Sequence, residues 1–271
     1  MAFALGPHAR SQGYRLVAFD AIGSTNAEAM TRARAGEVGR ERGPLWLVTS
    51  HQTQGRGRRS RPWETPPGNL AASVVEVMNV APQLAATLGF AAGLALATAL
   101  RNLVPPSLYG PAFRLKWPND VLAGSAKLSG ILLEAEAVEQ DHKNAGLIVI
   151  VGIGVNVVSA PQGLPYPATS LQQLGLKFTA GEVFAALSDA WAMYRDIWDE
   201  GRGLGDIRAA WLDHAAGLGQ KISVKLGDKI LDGIFQSIDD DGRLLLDVDG
   251  RIVPIAAGDV HFGNIASAGA Q

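Results

Sequence analysis

Two rhythms of apolar and polar residues alternate along this chain. Short runs with a period of two read as strands: Tyr14 to Phe19, Leu45 to Ser50, Leu70 to Val77, Phe113 to Trp117, the run from Lys127 through Ile131-Leu132-Leu133, and Leu147 to Val157. Segments with helical spacing lie between them. Thr25 with Glu28 forms a capping box before an alanine-rich stretch to Ala35, closed by Gly36. An apolar helix runs from Leu84 to about Asn102, followed by a proline-rich break over Val104 to Pro111. A second capping box, Thr179 with Glu182, starts a helix whose Val183, Phe184, Leu187, Trp191, Tyr194 and Trp198 fall on one core-facing stripe. Another helix, from about Asp206 to Ala216, stops at Gly217 and Gly219.

Beyond that point the pattern changes. Short alternating runs separated by Gly227-Asp228, Asp241-Gly242 and Asp249-Gly250 predict four or five strands closing into a small barrel. The division is a larger domain over 1–217 and a β module over 218–271, with a frayed SAGAQ at the end.

Composition narrows the chemistry. With 271 residues, 47% of them hydrophobic, the chain buries a substantial core. A net charge of −2 argues against a protein that coats nucleic acid, and makes the basic cluster at 56–61 a local feature. The absence of cysteine excludes disulfides and thiolate chemistry, and the scattered His8, His51, His142, His214 and His261 lack the spacing of a tight metal site. Chemistry is left to lysine, arginine, carboxylates and backbone amides. The N-terminus has no secretory apolar stretch, which reads as cytoplasmic. Leu84 to Leu100, rich in alanine and glycine, is a helix buried against a sheet rather than a membrane span.

The strongest chemical signal is Gln54 to Asn69, in which Arg56, Arg58, Arg59 and Arg61 are threaded through Gly55 and Gly57 and followed by Trp63. Guanidinium forks, close backbone approach and a covering indole suit an anionic ligand, as an arginine-rich surface turn suits solvent. Ser24, Thr25 and Asn26 serve as a helix cap or as a polar ligand site. Asn119 and Asp120, past the Lys116 strand, fit turn chemistry or a metal or ribose. Lys127 stands at a strand start with Gly130 inside the strand, where a ligand or another backbone passes close by. Gly152, Gly154 and Asn156 share one face of their strand, a floor on which a flat ligand could lie.

Five stretches together, Ser24-Thr25-Asn26, Gln54-Gly55-Arg56-Gly57-Arg58-Arg59, Lys116-Trp117-Pro118-Asn119-Asp120, Lys127-x-x-Gly130-Ile131-Leu132 and Gly152-Ile153-Gly154-Val155-Asn156, resemble the biotin protein ligases. The resemblance implies an α+β fold, a mixed and largely antiparallel sheet packed with helices like that of class II synthetases, plus a C-terminal SH3-like β-barrel. With about twenty residues before Ser24, too few for a helix-turn-helix, it implies the monofunctional form. It further implies two steps, in which biotin and MgATP give biotinyl-5′-AMP and a lysine of a biotin carboxyl carrier protein then takes the acyl group. Lys127, Arg58 and Arg56 become the expected catalytic residues. Ser24, Thr25, Asn26, Gln54, Gly55, Arg56, Gly57, Arg58, Trp63, Lys127, Gly130, Gly152 and Gly154 are expected to bind biotin. Arg58, Arg59, Trp63, Lys116, Asn119, Asp120, Lys127 and Asn156 are expected to bind ATP, with Mg²⁺ on Asp120 and no tightly bound metal.

Ser60 stands where the family often has glycine, and with a negative φ it would alter the mobility of a loop expected to be disordered until ligand binds. The resemblance implies a homodimer built on a strand edge, no membrane and no specific DNA binding. Competing readings are a lipoate-type ligase, a nucleic-acid binder using Gly57 to Pro62 as an arginine hook, and a non-catalytic biotin-binding regulator.

Overall fold

The computed structural model describes residues 2–39, 41–104, 113–140 and 144–262. Apart from Val104, the proline-rich break predicted to Pro111 lies outside these residues, as does SAGAQ.

Helix α1 (Pro7–Ser11) leads into β1 (Arg15–Phe19), α2 (Thr25–Arg34), β2 (Leu45–Thr49) and β3 (Leu70–Met78). Then come α3 (Pro82–Ala86), α4 (Leu88–Leu103), β4 (Phe113–Lys116), β5 (Asp120–Ala123), β6 (Ala126–Gln140) and β7 (Asn144–Val155). Helices α5 (Ala180–Trp198) and α6 (Leu204–Asp213) complete the larger unit. Its seven strands lie in the order β1-β2-β3-β7-β6-β5-β4. Only β1 and β2 pair in parallel, and every other neighbouring pair is antiparallel.

Period-two alternation along β3 and β7 assigns the two faces of this sheet. Val75, Ile148 and Ile150 point to one face and pack with Ala29 and Ala33 of α2. Val74, Val149, Val151 and Ile153 point to the other, beneath α4 and α5. Phe184 and Trp191 of the predicted stripe meet Trp46 of β2 edge-on, at centroid separations of 5.5 and 6.2 Å. Each such aromatic buries enough area to contribute at most about 4–6 kcal/mol of hydrophobic transfer. The Thr179 capping box is present: Thr179 N donates to Glu182 Oε2 at 2.8 Å and Glu182 N donates back to Thr179 Oγ1 at 3.2 Å.

Three local expectations are corrected. The cap of α2 is Ser24, whose Oγ accepts from Ala27 N at 3.3 Å, so Thr25 lies inside the helix and its hydroxyl is free for other work. The apolar helix is two helices meeting at Thr87, whose hydroxyl donates to Leu84 O at 2.6 Å and accepts from Trp198 Nε1 at 2.8 Å. Its span Pro82–Leu103 is long and apolar enough to cross a membrane, but 72% of its most apolar window is buried in the fold. Finally, Asp120 does not trail off after a strand. It opens β5 and pairs with Lys116 across a tight hairpin containing the cis Trp117–Pro118 bond.

The C-terminal module is a five-stranded antiparallel sheet, order β11-β10-β9-β8-β12. Its strands are β8 (Lys221–Leu226), β9 (Lys229–Ile238), β10 (Leu244–Val248), β11 (Arg251–Ile255) and β12 (Asp259–Phe262). Its core residues Phe235, Ile238 and Leu244 join the same hydrophobic cluster as α4, and Trp117 Nε1 donates to Gly242 O at 3.1 Å. This docking turns β8 and β12 toward the end of the large sheet.

Candidate active site

A cleft of about 830 Å³ opens on the α2 face, beyond the helix N-terminus, between the large sheet and the C-terminal module. Helix α2 covers Ile148 and Ile150, but the next two residues on that face of β7 are Gly152 and Gly154. With no side chains to fill the space, the sheet itself becomes a floor. A Cβ at 152 would collide with the Asn26 carboxamide, and one at 154 with the indole of Trp63. Trp63 also spans Gly130, where an added Cβ would stand 3.1 Å from its Cζ3. The flat ring on the glycine floor is therefore the protein's own, the indole of Trp63.

The α2 end of the cleft is polar but nearly neutral. Ser73, fully buried on β3, places its Oγ 2.7 Å from Thr25 Oγ1 and 2.6 Å from Asn26 Oδ1. Asn26 Nδ2 donates to Glu134 Oε2 at 2.7 Å, and Glu134 Oε1 lies 3.8 Å from the Arg56 guanidinium. The Thr25 backbone N–H donates to Gln52 Oε1 at 2.9 Å. A relay of hydroxyls and amides thus runs to one compensated ion pair, an arrangement suited to a neutral ligand with several donors and acceptors.

The opposite end is cationic. Arg58 donates to Asn119 Oδ1 at 3.2 Å, and Asn119 fastens the β4–β5 hairpin to β6 through Ile131. Burial pushes the Arg58 guanidinium and the Lys116 amine below their ordinary values. For Lys116 the nearby Asp120 opposes that shift and Lys127 adds to it. Cations taken out of water without full compensation favour an incoming anion. Lys225, His261 and Phe262 of the C-terminal module also line this end, with Lys116 Nζ 5.7 Å from the Phe262 ring centroid. Burial and the Lys116 charge together hold His261 below its ordinary value.

Asp259 of β12 is the acidic counterweight. Its carboxylate accepts from Arg59 at 3.0 Å and Arg61 at 2.8 Å. Burial acts to raise its pKa, but the hydrogen bond from Arg61 and the charges of Arg61, Arg59 and Arg58 outweigh it, holding the carboxyl below its usual range. Between the two ends, Lys127 Nζ contacts Asp120 Oδ1 at 2.6 Å, with side chains 19% and 14% exposed.

The arginine loop is tied down rather than extended. Gly57 N donates to Arg61 O at 2.7 Å and Trp63 N to Gly55 O at 2.9 Å, while Arg59 and Ser60 form the turn. Ser60 has φ +57°, not the negative φ expected of it, and Arg59 has φ +55°. Each non-glycine residue in this region carries roughly 1–2 kcal/mol of strain. The turn is tied to Asp259 through Arg59 and Arg61, and to Asn119 through Arg58.

Of the residues singled out in the sequence, Ser24, Thr25, Asn26, Arg56, Gly57, Arg58, Trp63, Lys116, Asn119, Asp120, Lys127, Gly130, Gly152 and Gly154 are brought to this one cleft. Gln54, Gly55, Arg59 and Asn156 do not line it. Gln54 is exposed, and Gln52 holds the position expected of it beside Thr25. Gly55 lies where a side chain would strike the Trp63 carbonyl, so its absence of a Cβ serves the loop. Arg59 turns outward to Asp259. Asn156 turns into the fold, donating from Nδ2 to Thr169 O at 3.1 Å. Sequence reasoning missed Gln52, Ser73, Glu134, Tyr166, Lys225, Asp259 and His261. Parity alone could have found Ser73 and Glu134, since both lie on the α2 face opposite Gly152 and Ile150.

Among the described residues no group of three or more His, Asp or Glu lies close enough to hold a metal. Asp120, where the two ends of the cleft meet, offers one carboxylate, which fits Mg²⁺ carried mainly by phosphate oxygens and water.

Comparison with known proteins gives concordant results. Residues 37–156 match the profile of the Biotin/lipoate A/B protein ligase family, and residues 217–263 that of the Biotin protein ligase C terminal domain. The chain is 38% identical over 249 residues to a biotin–[acetyl-CoA-carboxylase] ligase of Paracoccus denitrificans, covering 89% of this chain and 97% of that protein. It is also 38% identical over 248 residues to the corresponding ligase of Mycobacterium tuberculosis, covering 88% and 85%. The solved structure of a biotin protein ligase from Aquifex aeolicus in complex with biotin and ATP is 25% identical, with a TM-score of 0.69 over 91% of this chain and 97% of that one.

Proposed function

The chain belongs to the biotin/lipoate A/B protein ligase family, and on that premise we propose that the cleft reads biotin at its neutral end and the ATP phosphates at its cationic end. The reaction is ATP-dependent biotin activation followed by transfer of the biotinyl group to protein. A carboxylate oxygen of biotin attacks the α-phosphorus, the bond to the β-phosphate oxygen breaks and pyrophosphate leaves. A lysine amine of the acceptor then attacks the acyl carbon and releases AMP.

The observation that carries the residue roles is the polarity of this single cleft, with Lys127 and Asp120 at the seam between its ends. Thr25, Asn26 and Gln52, backed by Ser73 and Glu134, bind the neutral ureido ring. The floor of Gly130, Gly152 and Gly154 lets the acyl chain lie against the sheet. Lys127 meets the carboxylate and the α-phosphate, where two anions must approach, and a fixed cation in a water-poor site screens their repulsion. Arg58 and Lys116, already held out of water, take phosphate charge, and Asn119 keeps Arg58 aimed. Asp120 would hold Mg²⁺, which would neutralise phosphate charge when bound. Trp63 lifts from the floor and closes over the adenylate, excluding the water that would hydrolyse it.

The acceptor in this reading is a biotin carboxyl carrier protein, and the cytoplasm is the setting that supplies both it and ATP. The open edge of β1 is the surface for self-association, which equilibrium sedimentation would measure. The direct test is biotin-dependent exchange of labelled pyrophosphate into ATP, followed by labelling of a carrier domain with and without its target lysine. Exchange stimulated by lipoate and not by biotin would overturn the substrate assignment. Tight DNA binding with a steep salt slope would favour the arginine-hook reading instead.

A further inference from the structure

The segment from β7 to α5 carries Tyr166 over the cleft and is fastened at both ends. At its base, Asn69 Oδ1 accepts from the backbone N–H groups of Val157, Val158 and Ser159, at 3.0, 2.9 and 3.1 Å. At its far end the segment bonds to Lys127 itself. Lys127 N donates to Pro167 O at 2.8 Å, and Thr169 N donates to Lys127 O at 2.9 Å. Pro165 and Pro167 flank the tyrosine and restrict φ on either side of it. Tyr166 is 37% exposed, so the drive to bury an aromatic ring does not account for its place.

Its ring faces Lys127. The ammonium lies 5.6 Å from the Tyr166 centroid and 5.6 Å from that of Trp63, with Asp120 as its third neighbour. A lysine amine is a point charge on a flexible four-carbon stem, and one carboxylate attracts it without fixing its direction. Two ring faces add direction, and their attraction for a cation grows as water is excluded.

We propose that Tyr166 is a positioning residue for biotin activation, acting through Lys127: its ring keeps the ammonium over the cleft while Asp120 is exchanged for the anionic oxygens of the substrates. The inference rests on the ligase reading above. It separates Tyr166 from a ring that merely covers the nucleotide, because such a ring would change the KM for ATP, whereas a misplaced Lys127 changes kcat.

The test is biotin-dependent pyrophosphate exchange with Tyr166→Phe, Tyr166→Leu, Lys127→Gln and the Lys127→Gln/Tyr166→Leu double variant. Tyr166→Phe keeps a ring face and retains kcat within about twofold. Tyr166→Leu lowers kcat by about 3- to 30-fold with little change in either KM, the range expected from one cation–π contact. In the Lys127→Gln background Tyr166→Leu has no further effect, because the group it positions is gone. Equal loss in Phe and Leu, an effect confined to the KM for ATP, an undiminished effect in the Lys127→Gln background, or a loss that tracks a lowered thermal midpoint would each overturn the proposal. Wild-type protein inactive in both exchange and carrier labelling would overturn the ligase reading. An active wild type with an unaltered Tyr166→Leu overturns the positioning role alone.

Discussion

Lys127 Nζ sits 2.6 Å from Asp120 Oδ1, across the irregular pairing of β5 with β6. The two charges compensate each other, and in the ligase reading each must release the other to meet substrate. Their separate substitution should therefore have separable consequences. Lys127→Gln is expected to lower pyrophosphate exchange by roughly 10²–10³-fold, the scale of one lost electrostatic stabiliser. Asp120→Asn should instead raise the Mg²⁺ concentration needed for half-maximal exchange, while calorimetric biotin affinity changes little. Unchanged exchange in Lys127→Gln would remove that residue from the chemistry.

Gly152→Ala and Gly154→Ala should differ in stability and agree in function. The first puts a methyl group into the Asn26 carboxamide, which is held by Ser73 and Glu134. The neighbour cannot give way, and overpacking of this kind costs about 1–3 kcal/mol. The second meets only the Trp63 ring, on a loop that can shift. Thermal midpoints should fall clearly for Gly152→Ala and little for Gly154→Ala, whereas biotin affinity should drop in both. Full affinity in Gly154→Ala would mean that the floor does not carry the ligand.

The Asp259 contact predicts a protease response. Asp259→Asn weakens the ties to Arg59 and Arg61, and trypsin should then cut faster after Arg58 and Arg59 in the absence of substrates. Biotin with ATP should slow cutting in the wild type. Because the Asp259 carboxyl is held below its ordinary 3.8, the stability it contributes is fully present above that value and is lost as pH falls through the lower, folded-state value. Cutting of the free wild type should therefore not accelerate as pH is lowered from about 8 to about 5 through any loss of this contact. Equal rates for Asp259→Asn and wild type would show that the contact does not restrain the loop.

Much of the floor was legible because period-two alternation is a property of the backbone. Gly152 and Gly154 had to share a face, and they do. The stripe on α5 was legible for the same reason at helical spacing. Gln52 and Gln54 show where that logic stops. Both have the same parity, and what selects Gln52 is its bridging to Ile22 and Thr65, which only the folded loop supplies. The α2 cap illustrates a related limit. Ser24 and Thr25 are both good caps, and choosing Thr25 concealed the hydroxyl that meets Ser73.

The contribution of the C-terminal module was not legible at all. Lys225, Asp259 and His261 lie in short strands with ordinary alternation, and nothing local distinguishes them from a solvated edge. They reach the cleft because Trp117, Gly242 and Phe90 fix the docking of one unit on the other. Tyr166 was hidden in a proline-rich connection whose meaning depends on two backbone hydrogen bonds to Lys127.

The Arg59–Asp259 and Arg61–Asp259 contacts join residues 200 and 198 positions apart, and this separation orders events during synthesis. A chain made from its N-terminus folds its larger unit first. The residues of the sheet, the glycine floor and Lys127 are therefore made while the arginine turn still lacks its acidic partner. A chain at that stage lacks both the restraint on its loop and part of the cleft wall, and competence comes last, with the strand that carries Asp259.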